Sequence, residues 1–360
     1  MKPDNPQILV APLNWGLGHA TRCMPIIRTL LERGYDVTIA SDGLALELLK
    51  REFPHLEKWE LPGYGVHYRK PVLISLVKQI PGIQKIIRQE HQLLLEKARQ
   101  TPFRAIISDN RYGMWHPDIP SILMTHQVQL PIGRWTTKLI NPWLRTYLKP
   151  YREIWVPDFA PPHHLTGYMT ESGDPRIQRI GPLSRFKPDT VHQDIDLLVL
   201  LSGPEPARTR WENHFLQEVV RLPYEKMVLL RGLPGANPDA IPSTNKLTIH
   251  PHLPADALNN LMARSKAIIC RAGYSTIMDL MVLGKTAIMV PTPGQPEQEY
   301  VAHRLHQKNL AVVRHHELFP IQEAVAQLDR CQPWPQGEWT PWEDRLKDLL
   351  ADEKTTAASG

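Results

Sequence analysis

Ile8-Leu9-Val10-Ala11-Pro12-Leu13-Asn14-Trp15-Gly16-Leu17-Gly18-His19-Ala20-Thr21-Arg22 is the stretch whose reading decides the fold class. Ile8 to Pro12 is a short apolar run of the kind a buried strand needs. It enters a loop holding Gly16 and Gly18. A helical pattern follows at Met24, Ile27, Leu30 and Leu31, closed by Gly34. Glycine just past the last turn is a common helix stop. Val37-Thr38-Ile39-Ala40 reads as the next strand. Strand, glycine loop, helix and strand in that order are the signature of a parallel α/β sheet. Further strands are predicted at 105–108, 121–124 and 154–156, and a helix between Ile83 and Arg99.

A second series of the same kind starts near Asp196. Leu197 to Leu201 reads as a strand, then comes the loop Ser202-Gly203-Pro204-Glu205-Pro206 and a helix over about 208–220. Strands are predicted at 227–230, 247–249, 267–270 and 287–290, with helices at 255–262, 276–283 and 297–307. The pattern gives two Rossmann-like domains, 1–188 and 189–340, a helix at 341–353 returning to the first domain, and a disordered tail at 354–360. In open sheets of this type ligands bind beyond the carboxyl ends of the strands. Two such domains facing each other would set a cleft there, and the glycine loops fall at those ends.

Composition narrows the function classes. The chain has 360 residues, 42% of them hydrophobic and 22% charged, which excludes a largely disordered chain. The longest apolar runs fall well short of the ~20 residues a membrane-spanning helix needs. The first residues carry no apolar signal core, so a cytoplasmic location is expected. Cys23, Cys270 and Cys331 are scattered and fit neither a disulfide framework nor a zinc site. The 35 prolines require stiff connections. Charge is unevenly placed: residues 1–190 hold 25 Lys and Arg against 17 Asp and Glu, a net of +8, and the remainder 17 against 20, a net of −3. No acid occurs from Arg69 to Arg88 or from Ile119 to Arg152. The second of these stretches mixes Arg134, Lys138, Arg145, Lys149 and Arg152 with Trp135, Trp143 and Tyr147. Such mixtures suit peripheral contact with an anionic membrane, here at the inner face of the cytoplasmic membrane. They also suit phosphate-bearing substrates, or simply a solvated face beside an ordinary core. No nucleic-acid partner is assigned.

Four loop constellations carry the chemistry. Glycines at Gly16 and Gly18 let backbone N–H groups approach an anion at a helix N-terminus. The third glycine of a dinucleotide fingerprint is absent, its place taken by Thr21. His19 can take a proton from a hydroxyl, or merely hydrogen-bond the loop; Arg22 lies one turn on. Asp109 ends a strand and can serve His19, bind a sugar hydroxyl or cap a turn. His126, in Thr125-His126-Gln127, is similarly placed. In the second half, Cys270-Arg271-Ala272-Gly273-Tyr274-Ser275-Thr276 is another strand-to-helix glycine turn, with Asp279 one turn inside the helix. Pro291 to Tyr300 follows the next strand and holds Gln298 and Glu299.

Taken in this order, these stretches resemble the GT-B glycosyltransferases, and most closely the MurG-like type of glycosyltransferase family 28. Arg271-Ala272-Gly273 through Asp279, then Gly284, then Pro291 through Tyr300 resemble that family's nucleotide-sugar signature. Gly16-x-Gly18-His19 matches its first-domain loop. The resemblance spans roughly residues 7–315. It implies two Rossmann-like domains across a cleft and transfer of a hexose or N-acetylhexosamine from a UDP-sugar to an acceptor hydroxyl. The transfer would be inverting and metal-independent, with a UDP-sugar as substrate and no cofactor. The acceptor is unknown, and the basic, apolar stretches suggest a lipid-linked one.

Carried over by position, His252 and Leu253 would face the nucleobase and Asp279 the ribose, where the family usually has Glu. Ser202, Gly203 and backbone N–H groups at Ala272-Gly273-Tyr274 would contact the diphosphate, and Arg271 and Ser275 would belong to the same donor site. Arg185 would lie near the nucleotide, and Gln298 and Glu299 would hold the donor sugar. His19 and Asp109 would be catalytic; Gly16, Gly18, Arg22 and His126 would meet the acceptor. The chain departs from the family at two loops. It has Gly-Leu-Gly-His for Gly-Gly-His, and a proline-bearing loop at 202–206 where glycines are usual. A nucleotide-sugar hydrolase, an epimerase and a silent nucleotide-sugar-binding protein share enough of these motifs to stand as alternatives.

Overall fold

The computed structural model describes residues 5–65, 72–130, 134–203, 205–233, 237, 241–315 and 317–357. Backbone contacts divide the chain into two compact domains, Met1–Leu183 with Gln336–Gly360, and Ser184–Pro335. The first division falls five residues before the expected 188/189, because Ser184 onward already packs with the second domain.

The first domain carries β1 (Gln7–Pro12), α1 (Gly18–Glu32), β2 (Asp36–Ser41), α2 (Gly43–Glu52), β3 (Glu57–Glu60), α3 (Val72–Ala98), β4 (Phe103–Asp109), β5 (Ser121–Met124), α4 (Arg134–Leu148), β6 (Glu153–Val156) and β7 (Ile177–Arg179). Its sheet is parallel in the order β3-β2-β1-β4-β5-β6-β7. Side chains alternate faces along a strand. Ile8 and Val10 of β1 accordingly join the core formed by α1 and α2, while Leu9 and Ala11 join the opposite one with Trp59, Leu94 and Phe103. Both faces are covered, as parallel sheets require. Gly34 ends α1 with φ +82°, and Tyr35 N–H reaches back to the Leu30 carbonyl at 3.0 Å.

The second domain repeats the plan with β8 (Ile195–Leu200), α5 (Ala207–Glu218), β9 (Met227–Leu230), β10 (Leu247–His250), α6 (Ala255–Arg264), β11 (Ser265–Cys270), α7 (Tyr274–Val282), β12 (Ile288–Met289), α8 (Pro296–Gln307), β13 (Val312–Val313) and α9 (Ile321–Val325). Its sheet runs β10-β9-β8-β11-β12-β13, again all parallel. Each domain thus has the central 3-2-1-4-5-6 order of a doubly wound fold.

The chain returns at Gln336 to the first domain. There α10 (Trp342–Ala357) lays Trp342, Leu346 and Leu349 into the β1–α1 core. Trp342 packs on the fully buried Trp155, with ring centroids 6.1 Å apart. Helix α10 runs past the expected stop at 353, and 358–360 lie outside the described residues.

Three elements differ from expectation. Helix α3 starts at Val72 rather than Ile83, continuing through Pro81. Strand β3 is an edge strand whose only inward residue is Trp59, so it shows no apolar run. Helix α4 occupies part of the acid-free basic stretch. Of the basic stretches, Arg69 and Lys70 and the side chains of Lys78, Arg134, Trp135 and Lys138 lie outside the described residues. Trp143 and Tyr147 of α4 are half-buried and stack edge to face at 5.0 Å, with Tyr147 against Tyr112.

Candidate active site

In the first domain β1 and β4 are neighbours in register, Pro12 opposite Asp109. Their carboxyl ends therefore bring the His19 loop and Asp109 together. His19 Nδ1 lies 3.1 Å from Asp109 Oδ2. Arg22, one turn along α1, donates from Nε to Asp109 Oδ2 at 2.7 Å and from Nη2 to Oδ1. Its Nη1 donates to His126 Nδ1 at 2.8 Å, and Nη2 stands 2.9 Å from His19 Nδ1. Asp109 is fully buried and Arg22 nearly so; His19 keeps 11% of its side chain exposed.

The electrostatics follow from that packing. The Arg22 guanidinium, with His19, holds the Asp109 carboxyl well below the usual carboxylate range despite burial. Burial lowers the His19 pKa, and Arg22 and His126 add to that, against the pull of Asp109. The imidazole is therefore neutral at pH 7. An arginine can only donate, so Nδ1 of His19 either carries its proton to Asp109 or accepts from Arg22. In the first arrangement Nε2 is an open acceptor. Arg22 is spent on Asp109 and the two histidines. The expectation that it meets an acceptor gives way to a positioning role, because its guanidinium is buried. Gly16, with φ +70°, and Gly18 shape the turn into α1.

The second domain gathers the other group of residues. Asp279, inside α7, accepts from Ser184 Oγ at 2.5 Å. Burial raises its pKa to about 6, opposed by the charge of Arg185. The Arg185 guanidinium also lies 5.0 Å from the Phe186 ring centroid. Ser202 is exposed at the end of β8, and Gly203 beside it takes φ +106°. A side chain at Gly203 would contact Thr292 Oγ1 at 3.5 Å. That hydroxyl is buried without a hydrogen-bond partner among the described residues. Ala272, Gly273, Tyr274 and Ser275 form the turn into α7, with Gly273 at its N-cap and Tyr274 buried. His252 and Leu253 lie half-buried between β10 and α6. Pro204 lies outside the described residues.

Three expected donor contacts are engaged inside the protein. The Arg271 guanidinium is 2% exposed, lies 4.2 Å from the Trp211 ring centroid and pairs with Glu317 at 2.6 Å. It supports the loop from beneath, so only the backbone of this turn is available to an anion. Gln298 accepts from Thr292 N–H at 2.8 Å and donates to Gln295 at 2.5 Å. Glu299 accepts from Gly294 N–H at 3.0 Å. Both brace the loop before α8. Sequence reasoning passed over Ser184, Thr292, Trp211 and Glu317. Only Thr292 sat in a quoted motif, and nothing in that motif distinguished it.

One Asp-x-Asp pair does occur, Asp194-Ile195-Asp196, at the amino end of β8 and so opposite the loops above. Its carboxylates are held by cations: Asp194 by Arg264 at 2.7 Å and by Lys226, Asp196 by Lys266 at 2.8 Å. Among the described residues no group of three His, Cys, Asp or Glu side chains is placed to hold a metal, and no helix is long and apolar enough to cross a membrane.

Comparison with known proteins agrees with this geometry. Residues 236–337 match the glycosyltransferase family 28 C-terminal domain. An uncharacterised glycosyltransferase of Methanopyrus kandleri is 24% identical over 327 residues, covering 84% of this chain and 92% of the relative. The UDP-N-acetylglucosamine–N-acetylmuramyl-(pentapeptide) pyrophosphoryl-undecaprenol N-acetylglucosamine transferase of Methylobacterium nodulans is 23% identical, over 84% of this chain and 81% of the relative. The crystal structure of the glycosyltransferase SnogD from Streptomyces nogalater superposes with a TM-score of 0.63 at 13% identity, covering 99% of this chain and 100% of that one. The chain carries a family 28 C-terminal domain, has the GT-B fold and is a glycosyltransferase, similar to those of the MurG-like type.

Proposed function

We propose that the chain transfers a hexose or N-acetylhexosamine from UDP to an acceptor hydroxyl with inversion and without a metal. His19 Nε2 takes the acceptor O–H proton as the oxygen bonds to C1 of the sugar. The C1–O bond to the diphosphate breaks, and its electron pair leaves with UDP. One displacement at C1 inverts it. The contact that carries this reading is His19 Nδ1 to Asp109 at 3.1 Å. It directs the proton of a neutral imidazole inward and leaves Nε2 to act as base.

In the second domain Asp279 receives the ribose hydroxyls. Thr292 Oγ–H, Gly203 N–H and the N-terminus of α7 receive the diphosphate, whose growing charge Arg185 and the helix dipole stabilise. Glu299, exposed and with one carboxylate oxygen bonded to Gly294 N–H, meets the donor sugar, while Gln298 holds the loop in shape. The Methylobacterium nodulans relative acts, by its name, on an undecaprenol-linked acceptor. That supports a lipid-linked acceptor here, with Lys149 and Arg145 of the exposed basic stretch facing an anionic membrane.

The test is a thermal-shift series with UDP, GDP, dTDP and UDP-sugars, followed by UDP release with and without lipid extracts. A shift with UDP and release only with acceptor is expected. Release of free sugar without acceptor would replace this reading by hydrolysis, and full transfer by His19→Ala would remove the base assigned here.

A further inference from the structure

Residues 13–15, 42 and 63–65, which follow β1, β2 and β3, line an open pocket of about 290 Å³ in the first domain. Small-molecule sites begin at about this size, roughly 300 Å³. Beside Leu13, its lining among the described residues is Asn14, Trp15, Asp42, Gly63, Tyr64 and Gly65. None of the His19, Arg22, Asp109 and His126 group lines it.

Its polar groups are fixed from behind. The Arg111 guanidinium, wholly buried, is bound to Asp42 Oδ1, to Glu90 and to the Pro12 carbonyl at 3.0 Å. Asp42 is thus an anchored carboxylate whose charge is largely offset. Its Oδ2 accepts from Asn14 Nδ2 at 3.1 Å. The Asn14 carbonyl accepts from Ala45 N–H at 3.2 Å, which fixes which end of the amide is which. One Nδ2 hydrogen of Asn14 and a lone pair of Asp42 Oδ2 therefore remain, side by side. The Tyr64 hydroxyl is used up, donating to Glu90 at 2.7 Å and accepting from Tyr112 N–H at 3.3 Å, so Tyr64 offers only its ring. Trp15 is 44% exposed at the rim. A side chain at Gly63 would come within 2.7 Å of Asp42 Oδ2, so glycine there keeps that oxygen within reach.

A fixed donor beside a fixed acceptor matches two neighbouring hydroxyls, each of which both donates and accepts. The aromatic faces suit the C–H surface of a sugar ring. An anion would meet the Asp42 carboxylate, a cation the Arg111 charge behind it, and an apolar group would strand the Asn14–Asp42 pair. We infer that this pocket is a subsite for a pyranose ring bearing a vicinal diol, the glycosyl part of the acceptor. Its role as an acceptor subsite rests on the transfer reading above; its ability to bind a sugar does not.

The experiment uses the full chain without donor. Saturation-transfer NMR is run with methyl β-D-glucopyranoside and methyl α-D-mannopyranoside as probes and glycerol as the comparison polyol. Saturation transfer to at least one glycoside is expected, with none to glycerol. Asn14→Ala and Trp15→Ala should each weaken binding at least about tenfold, a loss of ~1.4 kcal/mol, and Trp15→Phe should restore most of it. Trp15 is a surface residue, so its variant guards against a folding failure in Asn14→Ala. UDP affinity, read in the second domain, should not change in either. No transfer to either glycoside, equal transfer to glycerol, or binding unchanged in both alanine variants overturns the proposal. Glycoside binding without any consumption of UDP-sugar would sink the transfer reading and leave the sugar subsite standing.

Discussion

Replacing Asp109 by Asn preserves shape and removes charge at the centre of the first-domain cluster. Asp109 is fully buried, and it receives two N–H bonds from an Arg22 that is itself 2% exposed. The substitution sets a neutral amide against that guanidinium, with one oxygen that still accepts and an NH2 that meets it donor to donor. Breaking a buried pair from one side costs about 3–5 kcal/mol. For a domain of about 200 residues, at roughly 2–4 °C per kcal/mol, the melting temperature should fall by about 6–20 °C. The sign with pH is fixed by the depressed pKa. The carboxylate's contribution is fully present above the unfolded value of about 3.9 and is lost as pH falls through its lower folded value. The gap between wild type and Asp109→Asn should therefore be constant from neutrality to about pH 4.5 and narrow below it. Turnover should fall by about 10²–10⁴, the range for a lost general-base function, measured as UDP released per enzyme in the variant's folded temperature range. The double variant Arg22→Met with Asp109→Leu should melt higher than Asp109→Asn, since no charge is left buried. Melting with the wild type would refute the buried pairing, and wild-type turnover in a destabilised Asp109→Asn would refute the role given to the carboxylate.

Other outcomes follow from the same geometry. The acid limb of kcat/KM should lie below the ordinary histidine value of about 6.5, since burial and Arg22 depress His19, and a pH–rate profile reads it directly. UDP affinity should rise as pH passes about 6, where Asp279 ionises and can accept from ribose hydroxyls, and calorimetric titration of Asp279→Asn should show no such step. Because that pKa is raised, ionising Asp279 opposes folding, so stability falls as pH rises from about 4 through 6, and Asp279→Asn should melt at or above the wild type at pH 7. Trp342→Ala should destabilise the first domain by about 3–5 kcal/mol in urea unfolding, because Trp342 is 5% exposed against Trp155.

What could be read from sequence follows how each element is buried. Strands β1, β4, β5, β8, β9 and β11 are covered on both faces and appear as apolar runs. Strands β3 and β7 sit at one edge or the other of the first sheet, so Glu57-Lys58-Trp59-Glu60 looks like a loop. The two parallel α/β domains were legible because glycine loops join apolar strands to helices, and the family 28 signature only through the resemblance of Arg271 to Tyr300. Side-chain roles were less so. Arg22 and Arg271 both stand beside glycine turns, and a sequence does not say whether a guanidinium points outward or into the fold. Their buried partners, Asp109 from 87 residues away and Glu317 from 46, are brought near only by strand order. Asp109 was found because it ends a strand next to β1; Glu317 and Thr292 carried no such marker.

The return of the chain at Gln336 has a consequence for biosynthesis. The core of β1 and α1 lacks Trp342, Leu346 and Leu349 until residues 342–349 are made. Once Leu183 has been translated, roughly 150 more residues must follow before Gln336, which at ~5–20 residues per second takes about 8–30 s. The domain begun first is thus the one completed last. During that interval its unfinished apolar face is open to solvent on the ribosome, and the order of folding runs against the order of synthesis.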